Sequence, residues 1–360
     1  MAAATSATAA PQGSSTPAAL SMSALRAELE LAHGTEALAL TAAAIRCRIQ
    51  DEFVRSGDVL RATGLYAQVN DGVTEHLVRA GAAELGLDLG QACWLAFGSQ
   101  GRSEQTPATD QDNGWVLCSS VTACERLRWI ELGQRVNAAL AVCGYALCQG
   151  RVMAGQAGCC LTLREWRHRF DAWLEHGAPQ DLLNASIYFD LRALVGRIDL
   201  AAALREHFTE RAAALPRFLK QMADNSLRHG VPLDWLGRVR PRRSDGRALF
   251  DLKLSGTAIF VEIARLYALA QGIAATGTVE RLEAVARKLG VPAHESASWQ
   301  EGFLGLQRLR LRAHAAGSWP DQDHNLIGLD DLSPADLQSL RQALGAARVL
   351  QQRAELDYWR

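Results

Sequence analysis

The sequence has no apolar run long enough to cross a membrane. Its longest candidate, Leu254 to Ala275, is interrupted by Glu262 and Arg265 at helical spacing, which predicts a buried helix with a polar edge. No two cysteines form a C-x-x-C pair and no two of the nine histidines have metal-ligand spacing, so a zinc site is a poor reading. A P-loop lysine and a G-x-S-x-G elbow are both missing, which removes support for P-loop and serine-hydrolase chemistry. Neither sign of charge is in excess: 38 Lys and Arg against 39 Asp and Glu give a net charge of −1, so the chain carries no strong nucleic-acid signal. Residues 1–20, rich in Ala, Ser, Thr and Pro, lack the charged and apolar regions of a secretory signal and read as a disordered tail. The eight cysteines lie largely in apolar runs and read as reduced thiols of a cytoplasmic protein.

What is present is ordinary globular composition, 48% apolar and 21% charged, in a chain of 360 residues, long enough for two packed domains. After the tail (1–21), a helical arm is expected over 22–88, where Leu65, Val69, Val73 and Leu77 form a one-sided ladder. Two long helices, broken near Ser56-Gly57-Asp58, are the natural reading. Cys93–Phe97 and Trp115–Cys118 read as buried strands, Val121–Ala141 as a helix, and Tyr145–Cys148 as a third strand. Thr162 and Glu165 form a capping box that opens a helix whose Trp166, Phe170 and Trp173 share a core-facing side. Helical patterning continues over 181–195, 199–228, 257–273, 278–289, 297–315 and 334–357. Val239–Lys253 instead reads as a hairpin around Ser244-Asp245-Gly246. The expected fold is α+β and mostly helical: a small mixed sheet over 89–160, a helical extension over 161–200 and a helical C-terminal domain over 201–360.

The residues that carry chemistry lie between the first two strands. Phe97-Gly98-Ser99-Gln100-Gly101-Arg102 is a strand running into a small-residue turn, where backbone amides and a hydroxyl can approach a phosphate. Asp110 and Asp112 follow at alternate positions, so an extended segment aims both carboxylates the same way. Two such carboxylates repel each other unless a cation lies between them, and hard oxygen donors suit Mg²⁺ or Mn²⁺ on a triphosphate.

Gly98-Ser99, ten further residues and Asp110-Gln111-Asp112 resemble the signature of the polymerase-beta-like nucleotidyltransferase superfamily. The longer string from Gly98 to Asn113 is similar to the nucleotidyltransferases catalogued as domain of unknown function 294, relatives of the protein-PII uridylyltransferase. Cys148–Ala154, Phe189–Arg192 with Val195-Gly196, and Asp251–Lys253 with Ile263–Leu269 extend the resemblance over most of residues 40–350. It implies a small nucleotidyltransferase sheet flanked by helices and a C-terminal helical substrate-binding domain. It also implies that Gly98 and Ser99 hold nucleotide phosphates and that Asp110 and Asp112 are catalytic and ligate the metal. Arg102 either donates to a phosphate or pairs with Glu104 to shape the loop, and Asn113 either orients Asp112 or ends the turn. Lys253 either reaches the nucleotide from the second domain or pairs with Asp251.

The sequence departs from that pattern at one point. Many superfamily members carry a third carboxylate on a later strand, and Tyr145–Ala154 contains none, which leaves the base unassigned. Asp190 could substitute, or pair with Arg192 in a helix. Arg238, Arg240, Arg242, Arg243 and Arg247 crowd the expected hairpin, either as a docking patch or as a solvated edge strand. The activity implied is transfer of a nucleoside monophosphate from a triphosphate to a protein or small-molecule hydroxyl, in signal transduction with a protein acceptor or regulatory partner. The alternative is a signalling module that binds a nucleotide without turning it over.

Overall fold

The short apolar runs that interrupt the helical pattern form the centre of the fold. The computed structural model describes residues 20–178, 181–182, 185–228, 230–317 and 323–358; the expected tail falls almost wholly outside them. Strands β1 (Ala92–Ala96) and β2 (Asn113–Leu117) pair antiparallel, and every residue of both is buried. A strand covered on both faces needs no alternation, which is why each reads as a continuous apolar run. β3 (Cys160–Thr162) lies parallel to β2 and β4 (Arg192–Gly196) antiparallel to β1, giving the order β3-β2-β1-β4.

Two helical layers cover this sheet. On one face, Trp94, Trp115 and Leu117 pack against α1 (Met22–Glu30), α2 (Thr35–Ser56), α3 (Val59–Glu84) and α5 (Ala123–Val142), with the Leu65, Val69, Val73, Leu77 ladder buried as expected. On the other, Leu95, Phe97 and Val116 meet α6 (Leu163–His176), α7 (Ile198–Ala213) and α8 (Pro216–Leu227). The four-residue turn α4 (Gly98–Gly101) follows β1 directly.

A third core holds α9 (Ala258–Ala270), α10 (Thr278–Leu289), α11 (Ala293–Ala316) and α12 (Pro334–Tyr358), beside a small sheet of β5 (Arg242–Ser244), β6 (Arg247–Asp251) and β7 (Leu326–Gly328). The molecule is therefore α+β and mostly helical. The long apolar run is α9, whose 13 residues are almost all buried, and no described helix is long and apolar enough to span a membrane.

Local chemistry explains several element ends. Gly57 closes α2 in the left-handed region, and the Asp58 carboxylate accepts the Arg61 amide to start α3. The Thr162/Glu165 capping box is formed as expected. The hairpin turns through Asp245 and Gly246, both at positive φ.

Three readings need correction. The arm holds three helices rather than two, because Gly34 at φ +82° adds a break. Tyr145–Cys148 is not a strand: Ala146 makes one isolated bridge to Asp110, and β3 comes later. Residues 192–196, read as helix, form β4, because the core needs an edge partner for β1 and helical periodicity in a short apolar run cannot distinguish the two.

Candidate active site

Gly98 leaves β1 at φ +52°, a backbone region that favours glycine. A Cβ there would lie 2.7 Å from Asp112 Oδ2 and 3.1 Å from Ile187, so only glycine lets this turn approach the carboxylate. Several other residues of the signature are scaffolding. Gln100 donates to Asp71 and Thr74 on α3, and its carbonyl accepts from Arg192 of β4. Gly101 packs against the Asp190 carbonyl, where a Cβ would sit 2.1 Å away. Gln105 accepts from Asn70, and the Glu104 carboxylate accepts the Thr278 amide at the start of α10.

Residues 109–113 run extended, held by the Asp112 carbonyl accepting from Phe97, the Gln111 amide donating to Ala146, and the Asn113 amide donating to Val152. The period of two then sorts the side chains. Gln111 and Asn113 turn toward α5, where Asn137 donates to both side-chain oxygens. Asp110 and Asp112 face a cavity of about 810 Å³. Asn113 thus neither contacts Asp112 nor ends a turn; its Oδ1 also accepts the Ala154 amide and fixes the strand from the far side.

The loop after Ala146 bends back and places Cys148 beside the aspartates. Ligand atoms of Asp110, Asp112 and Cys148 all lie within 4.8 Å of one another. Asp112 is 7% exposed, and its Oδ1 is buried with no hydrogen-bond partner. Burial, then the neighbouring Asp110 charge, pushes its carboxyl up to about 6. An orphaned carboxylate oxygen beside a second acid is a ready ligand for a cation.

Cations face these acids across the cavity. Lys253 Nζ stands 4.0 Å from Asp110 Oδ1, while Asp251 accepts backbone amides of Lys253 and Leu254 instead of pairing with the lysine. Arg310 of α11 lines the same cavity beside Gln307, and among the described residues no carboxylate lies within ion-pair distance of it. Burial, then repulsion from Arg102, lowers this guanidinium to about 10, and its Nε has no partner. Sequence reasoning missed Arg310, because one arginine among several in a helical pattern carries no local signal. Ser99 lines the cavity with its hydroxyl 3.3 Å from that of Thr109.

Arg102 and Asp190 belong to a buried charge cluster behind the loop. Arg102 donates from Nε to Glu104 and from Nη1 to Asp190, at 2.8 and 2.5 Å. Asp190 also accepts from Arg265 and Arg281 at distances of 2.6–3.0 Å. Although its burial is complete, Arg265, Arg281 and Arg102 hold its carboxyl well below the usual carboxylate range. Such a group cannot take a proton from a substrate. Its partners are these three arginines rather than the neighbouring Arg192, which pairs with Asp71. For Arg102 the loop-shaping ion pair is formed, though the side chain still borders the cavity.

Of the aromatic stripe, Trp166 and Phe170 are core, and the Trp166 indole donates to the Trp115 carbonyl. Trp173 is half-buried and lines the cavity with Tyr188, their ring centres 5.1 Å apart. Along the arginine-rich segment, Arg238 pairs with Asp234 and Arg247 with Asp331, while Arg242 and Arg243 are exposed.

A glycine turn and two converging acids thus share one cavity with cations from a second helical body. Residues 44–180 match the family described as "Putative nucleotidyltransferase DUF294", and residues 216–358 match "Putative nucleotidyltransferase substrate binding domain". Together these cover more than three quarters of the chain, which belongs to this family. No curated protein matches it.

Proposed function

We propose that the protein transfers a nucleoside monophosphate from a nucleoside triphosphate to a hydroxyl of a protein or small molecule and releases pyrophosphate. The carrying observation is that Asp110 and Asp112 line one cavity with the Gly98 turn, and that Asp112 is buried with its Oδ1 lacking a hydrogen-bond partner. The donor set fits a hard divalent cation such as Mg²⁺ or Mn²⁺, held by Asp110 and Asp112. When bound, the cation would neutralise phosphate charge and polarise the phosphorus under attack.

The chain's own residues do the rest. The bare Gly98 turn and the Ser99 hydroxyl receive phosphate oxygens close to the backbone. Lys253 and Arg310 bring positive charge from the opposite wall, where a leaving pyrophosphate needs it. Arg310, having no carboxylate partner among the described residues, can give its donors to phosphate without first breaking an ion pair. The Asp190 cluster holds the loop still, so that little reorganisation is left to the reaction itself.

The resemblance to the protein-PII uridylyltransferase supports a protein acceptor and a role in signalling. Incubating the purified chain with each labelled triphosphate, Mg²⁺ and a cell extract tests the proposal. Label transferred by wild type and lost with Asp110→Ala/Asp112→Ala supports it. Equal labelling by both refutes it. One observation favours the alternative module that binds without turnover: Cys148 beside the aspartates, in the segment that lacks the third carboxylate. Nucleotide binding by calorimetry with no pyrophosphate release would establish that reading.

A further inference from the structure

The third group that converges with the two aspartates is a thiol, and a thiol is a poor ligand for Mg²⁺. Cys148 is half-buried at the cavity wall. The Arg151 amide donates to its carbonyl in a turn closed by Arg151 at φ +57°, and this turn folds the side chain back over Asp112. The second, independent feature is Asp112 itself, more than nine-tenths buried with Oδ1 lacking any partner. A site built only for Mg²⁺ would gain from a third oxygen or from water at this position. Two carboxylates and a sulfur instead suit a borderline cation, which accepts thiolate and carboxylate together.

We infer that Asp110, Asp112 and Cys148 form a three-ligand site for a borderline divalent cation of the Zn²⁺ class, at the place where Mg²⁺ or Mn²⁺ would act. Binding forms a metal–sulfur bond and breaks the S–H bond; the proton leaves to solvent and no electron is transferred. First-row divalent ions bind such donors far more tightly than Mg²⁺, so trace Zn²⁺ displaces the working cation and arrests the transferase. The inference rests on the two-aspartate metal site proposed above, and the test separates the two.

The test is a titration of the full chain with Co²⁺, a spectroscopic substitute for Zn²⁺, read by the near-ultraviolet thiolate-to-cobalt charge-transfer band, followed by competition with Zn²⁺. Wild type is expected to give the band at one equivalent. Cys148→Ser should lose it and bind Zn²⁺ at least about tenfold more weakly, the least that losing even an outer-shell partner costs. The Asp110→Asn variant should also lose the band. A band that survives in Cys148→Ser overturns the inference, because the sulfur then comes from another cysteine. Co²⁺ binding that needs both aspartates but gives no band overturns it while leaving the two-aspartate site standing. If no cation binds at all, both fall.

Discussion

Asp112 is the more buried of the two acids at the proposed metal site. An acid whose folded value is raised from near 3.8 to about 6 holds a proton in the folded state that the unfolded chain has already lost. Stability therefore falls as pH rises through that window, and near neutrality the charged carboxylate costs roughly 3 kcal/mol. Asp112→Asn is expected to stabilise the cation-free protein by about 1–3 kcal/mol in urea unfolding at pH 7 while abolishing transfer; a loss of stability would show that the carboxylate has a structural partner. Gly98→Ala should do the reverse, costing about 1–3 kcal/mol through positive φ and the close approach to Asp112, which the same unfolding curve reads. The Gly-Ser turn and the alternate acids were legible in the sequence because both are local patterns. Cys148 and Arg310 were not, since each reaches the site through tertiary packing: the resemblance of Cys148–Ala154 does not show that the thiol meets the aspartates, and Arg310 is one arginine in a helical pattern.

At the scale of elements, the signature loop is held by what lies behind it. Gln100, Arg102, Glu104 and Gln105 connect it to α3, β4 and α10, and the Asp190 cluster ties it to α9 and α10. Asp190→Asn leaves Arg265 and Arg281 buried without their countercharge, and about 3–5 kcal/mol of stability should be lost. A denaturant midpoint within error of wild type would show that the cluster contributes little. The Thr162/Glu165 capping box, the Gly57 break and the Asp245-Gly246 turn were readable because a few adjacent residues satisfy their own backbone groups. β4 was not, because Arg192–Gly196, a short run with only Val195 fully buried, has the same composition in strand or helix, and only pairing with β1 decides between them.

At the scale of the whole molecule, the cavity lies between the sheet with its helices and the C-terminal body that supplies Lys253 and Arg310. Arg310→Gln is expected to raise the apparent KM for the triphosphate about 10- to 100-fold, the equivalent of one charged hydrogen bond, with partial rescue in Arg310→Lys. An unchanged KM would remove the arginine from the phosphate site. The division into a sheet-bearing half and a helical half was visible as a change of hydrophobic period, but the way the halves face each other depends on side chains far apart in sequence. The central claim is that Asp110 and Asp112 together hold a divalent cation on the nucleotide. Electron paramagnetic resonance of Mn²⁺ titrated into the protein with a non-hydrolysable triphosphate measures this directly. The account predicts one bound Mn²⁺ in wild type and its loss in Asp110→Asn/Asp112→Asn; equal binding by the two proteins would contradict it.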